Sequence, residues 1–405
     1  MKRFHQILTT VIIACMAVAF GACSMMEDDR SDCPTGLYVR FIYDYNTQRA
    51  DMFKDHVGYV TVYVYDESGK KVAEKSIANT PATMPLATYG YTMHFTEEEL
   101  PAGQNYRLQA VAMQKDWDEA LATPGAKYRR TPVTDANSLN ITLDHDVNTV
   151  NDVFSAKLHP VDNKAPLDTL WHTLKVMSSE PTYGYNIPDI PKTTKPYSIY
   201  PIEEQMVSVK EGYATYATIS LIRDTKHLNI TLRQIDNPEA INADDYEVTI
   251  VDDNATLASD NAVVTGDSLL YTPYAQWTTR YEDNEGTSIE GDIHPATRSS
   301  VINRTAHYNL MFNRLMYDKD SEKCAKLRIR NKQSGNIVAL INLPSILAEG
   351  RIAYEWQNYS PQEYLDREYD YELDFFLLSG DEWKFIDIRI HVLAWALRKQ
   401  NEILQ

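Results

Sequence analysis

Long apolar runs are nearly missing from this chain. The longest uncharged apolar stretch, Ile7 to Phe20, covers 14 residues, and a helix that crosses a bilayer needs about 20. Glycine is scarce, at 15 of 405 residues, and no Gly-rich loop follows a strand pattern, so there is no phosphate cradle. No HExxH, CxxC or GxSxG motif occurs among the ten scattered histidines and four cysteines, and nothing singles out a carboxylate pair for glycosidase chemistry. The chain therefore reads as non-enzymatic, with no metal and no cofactor. Positive charge is also short: 39 Lys and Arg stand against 57 Asp and Glu, for a net charge of −18. Such a chain repels phosphate backbones, which excludes nucleic acid as a partner. Helix-period patterns are few.

What is present begins with the N-terminus. Lys2 and Arg3 precede the apolar run, which has the length and flanks of a signal-peptide core. Gly21 and Ala22 suit a cleavage site, and Cys23 follows at once, as in a bacterial lipobox. On that reading residues 1–22 are a signal peptide and Cys23 carries a covalent lipid, because acyl chains anchor where a short apolar run cannot. The alternative is a plain secreted chain with an incidental Cys23. Glu27, Asp28 and Asp29 resemble a surface-export signal and also suit a solvated tether over residues 23–35. Cys33 and Cys324 remain as a possible disulfide in an exported protein.

Tyrosine stands out at 27 residues against 10 Phe, which suits half-buried strand faces. Period-2 alternation recurs throughout. In "YVTVYVYDESGKKV", Val60, Val62 and Val64 face one way and the tyrosines the other, ahead of a turn at Asp66–Gly69. "YRLQAVAMQ" and "SLNITLDH" follow suit. Residues 160–201 are rich in proline, which central strands exclude, so a domain boundary is expected near residue 160. Beyond it, "HLNITLRQI", "KLRIRNKQSGNIVALINLP" and "DFFLLSGDEWKFIDIRIHVLAW" repeat the pattern, with a break expected near Val392. One helix is expected at "SPQEYLDREY", where Ser360 caps, Pro361 starts and Glu363 completes a capping box. Asp252, Asp253 and Asn254 could in principle ligate calcium, but the loop lacks the glycine and the bidentate glutamate and reads better as a solvated turn. The fold class is all-β: a sandwich over residues 36–160 and a second over 161–405.

The lipobox with "DCPTGLYVRFIYDYN", the "VGYVTVYVYDESGKKV" hairpin, "YEVTIVDDNATLASDN" with "LLYTPY", and "QEYLDREYDYELDFFLLSGDEWKFIDIRIHVLAW" together resemble the FimB-type fimbrial subunit and anchor lipoproteins of Bacteroides-type bacteria, of the type V pilus system. The resemblance runs from Cys23 to about Leu404. It implies two tandem transthyretin-like β-sandwiches and an outer-membrane, surface-exposed lipoprotein. It also implies fimbrial shaft subunits as partners, joined by strand complementation, in which main-chain hydrogen bonds supply affinity. Shaft pilins of such systems lose a first strand by cleavage after an Arg. Here Arg40 and Arg49 lie near the first strand, and cutting at either would release Cys23 from the fold. The C-terminal segment, with Leu393, Trp395 and Leu397 alternating, is either a possible donor strand or simply the last strand of the second sandwich. Asp168-Thr169-Leu170 and Asp267-Ser268-Leu269 resemble the O-glycosylation sequon of these bacteria. A second functional reading is a surface module that binds glycan or a host ligand, with Tyr271, Tyr274 and Trp277 on an exposed face.

Overall fold

Val60, Val62 and Val64 leave their strand on one side and Tyr63 and Tyr65 on the other, and all five are buried. That strand is covered on both faces, and the reason lies in how two sandwiches meet. The computed structural model describes residues 33–133, 138–144, 159–161, 165–182, 186–191, 206–266, 268–283, 301–352, 358–379, 382–392 and 395–401. In chain order the strands are β1 (Gly36–Ile42), β2 (Tyr59–Tyr65), β3 (Lys71–Ala78), β4 (Met93–Phe95), β5 (Gln104–Met113), β6 (Lys127–Val133), β7 (Ser138–Asp144) and β8 (His159–Val161). Next come β9 (Leu170–Ser178), β10 (Met206–Val209), β11 (Ala214–Arg223), β12 (Lys226–Gln234), β13 (Tyr246–Asp252), β14 (Thr256–Leu257), β15 (Val263–Val264) and β16 (Leu269–Tyr271). The last are β17 (Ala275–Asp283), β18 (Val301–Phe312), β19 (Lys326–Asn331), β20 (Ile337–Asn342), β21 (Asp370–Leu378), β22 (Glu382–Val392) and β23 (Trp395–Asn401). The α-helices are short: α1 (Phe53–His56), α2 (Trp117–Ala122), α3 (Leu343–Ala348) and α4 (Pro361–Arg367). Helix α4 starts as the sequence indicates, with the Ser360 hydroxyl accepting the Glu363 N–H at 3.1 Å and Pro361 in the first turn.

The first sheet runs β3-β2-β5-β9-β11-β1-β4, with β10 also on β5. Strand β2 follows one edge of β5 from Tyr59↔Met113 to Tyr65↔Arg107. The other edge is shared. Strand β9 pairs only with Val111–Met113, and β10 takes Gln104–Arg107. The sheet therefore splits into two leaves joined at one corner. Val60, Val62, Leu108 and Ala110 of one leaf and Leu37, Val39, Ala217 and Ile219 of the other form one buried cluster. This is the first sandwich. Its β1 lies between β4 and β11, parallel to β11 from Gly36↔Ala214 to Ile42↔Ser220.

In the second sandwich the sheet β17-β18-β12-β21-β22-β23 packs on the sheet β20-β19-β13-β16-β8. Leu228, Ile230, Leu310 and Leu373 of the one meet Val248, Ile250, Leu327 and Ile329 of the other in a shared core. The change of sandwich in the chain falls between Arg223 and Lys226, not near residue 160. Strands β9 and β11 both follow residue 160 and both belong to the first sheet. Proline-rich sequence marks excursions between strands of one sheet as readily as it marks a boundary between domains.

Strands also cross between the halves. Hairpin β6–β7 pairs with β14 through Thr142↔Thr256 and Ile141↔Leu257. Strand β8 adds to the second sandwich parallel to β16. The larger core continues from Tyr63, Tyr65, Tyr128 and Ile141 into Val248 and Tyr271, so the two sandwiches share buried apolar surface. That is why β2 is buried on both faces.

A polar cluster fills the joint. Asp224, Thr225, Lys226 and Arg314 are fully buried. The Asp224 carboxylate meets His172 Nδ1 at 2.5 Å and accepts from Asn261 Nδ2 at 2.8 Å. Tyr128 Oη, from the first half, donates to Asn313 Oδ1 of the second at 2.6 Å. The large majority of buried polar groups in proteins are paired in this way.

Candidate functional site

An edge strand presents unpaired N–H and C=O groups, and proteins that do not use an edge shorten it or charge it. Most of the described edges are short or charged; the four-residue β10 and the six-residue β20 carry no charge. Strand β3 carries Lys71, Glu74 and Lys75, with Lys71 and Lys75 paired to Glu74 and Glu99 at 2.7 and 2.8 Å. Strands β4 and β8 are three residues long, and β15 is two. Strand β6 holds Arg129, Arg130 and Pro132, β17 ends in Arg280, Glu282 and Asp283, and β23 includes Arg398 and Lys399. Strand β20, "IVALIN", has no charge and no proline. Its inner neighbour β19 pairs through Lys326↔Asn342 to Arg330↔Ile337, with Val338 as the extra residue of a bulge. Ile337 and Leu340 are 46% and 45% exposed, on the face opposite the core. Beside them Arg330 pairs with Glu247 at 2.7 Å. An uncharged edge with apolar side chains standing clear of the sheet is suited to receive another strand.

The first sandwich offers no equivalent vacancy at β1. That strand is buried along almost its whole length. Arg40 is 4% exposed and donates to the carbonyls of Pro188 and Asp189 at 2.7 and 3.2 Å. A protease cannot reach it in the folded chain. Arg49 is exposed in a turn at φ 53°, its Nε donating to Tyr359 Oη at 2.9 Å.

Residues 1–22 and Cys23 lie outside the described residues, and so does Leu393. Trp395 and Leu397 fall in β23, which pairs antiparallel with β22 from Val392↔Trp395 to Ile386↔Asn401. The C-terminal segment thus closes its own sheet. The possible disulfide is not formed: Cys33 and Cys324 are both free thiols. Cys33 precedes β1 of the first sandwich. Cys324 sits buried beside β19 of the second, its Sγ accepting the Asp318 N–H at 3.4 Å and donating to the Asp318 carbonyl at 3.3 Å.

The acidic turn after β13 is structural. Asn254 Nδ2 donates to the carbonyls of Asn313 and Arg314 at 3.1 Å each, and its Oδ1 accepts from Tyr271 Oη at 2.6 Å. Burial first, and Asp253 second, push the Asp252 carboxyl up to about 8. Thr169 is 3% exposed, so its hydroxyl is closed to a glycosyltransferase once the chain folds; Asp267 lies outside the described residues.

The three aromatics expected on one face separate. Tyr271 is fully buried in the core. Tyr274 is half-buried, its Oη 2.9 Å from His227 Nε2. Trp277 is exposed and stacks on His307, with ring centroids 5.0 Å apart and planes at 14°. Tyr281 and His307, which the sequence did not single out, share its face. Period-2 spacing from Trp277 to Tyr281 was the available signal.

The sequence matches the fimbrillin-A associated anchor proteins Mfa1 and Mfa2 over residues 30–401. The chain belongs to this family of fimbrial anchors. Its role is accordingly fimbria-associated, and the family is not one of enzymes. Among curated proteins no match is found. Of solved structures, a candidate adhesin from Bacteroides thetaiotaomicron is 24% identical, with a TM-score of 0.62, over 91% of this chain and 99% of that one. A candidate polysaccharide-binding protein from the same organism is 24% identical, with a TM-score of 0.58 and the same coverage. The fimbrial anchor protein Mfa2 from Porphyromonas gingivalis is 13% identical, with a TM-score of 0.51, over 90% of this chain and 99% of that one. These likenesses establish the fold.

Proposed function

We propose that this family member is an outer-membrane lipoprotein that holds a fimbrial shaft at the cell surface, with the lipid on Cys23 and residues 24–35 as the tether. The shaft subunit adds a strand along β20. The observation that carries this is the uncharged β20 edge with Ile337 and Leu340 exposed, where the other described edges are short or charged. An incoming strand with alternating apolar residues would pair with the β20 main chain and cover Leu340 and Ile337. Because β1 already fills its place between β4 and β11, the first sandwich keeps its own strand.

The experiment uses two variants in the native host, Cys23→Ala and the pair Ile337→Lys with Leu340→Lys. Both are expected to shed intact fimbriae into the medium, and the lysine variant stays in the membrane fraction. Cell-bound fimbriae of normal number in Cys23→Ala would sink the anchor reading. Shedding by Cys23→Ala together with normal attachment in the lysine variant would sink β20 as the acceptor.

A further inference from the structure

Trp277 and Tyr281 sit on one strand face with Thr279 between them, 43% and 66% exposed for the two aromatics. Alternation places this face away from the core, because the β18 partners of the opposite parity, Ala306 and Tyr308, are buried. Four residues of antiparallel strand set the two backbone positions about 14 Å apart. The two aromatics can therefore meet separate rings of an extended ligand. The Trp277 indole is held, not loose. It lies flat on His307, and His307 Nε2 is fixed 2.9 Å from Thr279 Oγ1. Neither aromatic belongs to the buried core, and Trp and Tyr, with an apolar ring and a polar tip, are the aromatics enriched at binding surfaces.

We propose that this face binds a neutral oligosaccharide, one pyranose ring stacking on Trp277 and another reaching Tyr281. The charge of the patch selects the ligand. The chain carries a net charge of −18, yet the outward positions from Ala275 to Tyr281, with Thr305, His307 and Asn309 facing them on β18, include no carboxylate. An anionic ligand meets the field of the whole protein. A lipid tail gains nothing from a border of hydroxyl and amide groups. A sugar matches both parts: its C–H face fits the electron-rich indole face, and its hydroxyls exchange hydrogen bonds with Thr279, Thr305 and Asn309. The site lies on β17 and β18, on the sheet opposite the one that carries β20, so it is separate from the proposed shaft contact.

The test is binding of the detergent-solubilised full chain to an array of neutral hexasaccharides of glucose, mannose and galactose. At least one is expected to bind, with Trp277→Ala weakening it about tenfold or more. Tyr281→Ala should weaken it less, and Val72→Ala on β3 should leave it unchanged. A thermal midpoint for each variant confirms folding, and Tyr281→Ala carries the test if Trp277→Ala does not fold. Failure of the wild-type chain to bind any hexasaccharide overturns the proposal, as does unchanged binding by Trp277→Ala. So does release of fimbriae by Trp277→Ala without any sugar binding, which would assign the face to the shaft while leaving the anchor reading intact.

Discussion

Arg314 grips both oxygens of the Asp366 carboxylate, Nε to Oδ1 at 2.7 Å and Nη2 to Oδ2 at 2.9 Å, with both side chains shut off from solvent. The pair ties the exit of β18 to helix α4, and Arg314 Nη1 donates further to the Asn261 carbonyl beside β15. Three segments distant in sequence converge on one guanidinium at the joint of the two sandwiches.

Removing one partner strands the other charge in the interior. Arg314→Met is therefore expected to cost about 3–5 kcal/mol, and adding Asp366→Leu should restore much of that loss. Urea unfolding of the three proteins measures both steps. An Arg314→Met midpoint equal to wild type would show that the pair holds nothing together.

Lys226 supplies a pH signature. It is fully buried, and Nζ donates to the Asp366 and Glu368 carbonyls at 2.9 Å each. Burial pushes its amine from 10.5 down to about 8, with Asp366 and Asp224 opposing the shift. Between those two values the unfolded chain binds the extra proton, so stability rises with pH from about 8 upward, and this share is absent below pH 8. From pH 7.5 to 9.5 the wild type should gain about 1–2 kcal/mol relative to Lys226→Met. Parallel pH profiles for the two proteins would refute the assignment.

The free thiols predict a labelling order. Without reductant, an alkylating reagent should modify half-buried Cys33 quickly in the native chain and Cys324, 5% exposed, only on unfolding. Peptide mapping reads both sites. A cross-linked Cys33–Cys324 peptide would contradict the structure.

Local patterns in the sequence translated well. The alternation in β12 gives its buried face, whereas β2 and much of β5 are buried on both; the turn at Asp66–Gly69 lies where its residues indicate, and Ser360 caps α4 as spaced. Strand β22 ends at Val392, where the parity of the apolar residues changes. The pairings that define the architecture were not legible, because period 2 tells which face a residue takes and nothing about its neighbour strand. The parallel β1–β11 pair joins residues far apart in the chain, and β8 leaves its own half to extend the other sheet. Trp277 was legible as an aromatic on an exposed face, though its expected companions Tyr271 and Tyr274 are buried and half-buried. The exposure of Ile337 and Leu340 was not, since an uncharged "IVALIN" reads equally well as an interior strand.

The parallel pairing of β1 with β11 has a mechanical meaning. Gly36 is the first residue of β1, so tension applied there along the strand axis would load the strand lengthwise. Seven residue pairs with β11, from Gly36↔Ala214 to Ile42↔Ser220, resist it as a group. A hairpin pulled from its open end yields one rung at a time; a strand dragged lengthwise past its neighbour must break its ladder all at once. The order of strands in the first sandwich thus gives β1 the geometry of a shear joint, able to carry a lengthwise load that would peel a hairpin apart.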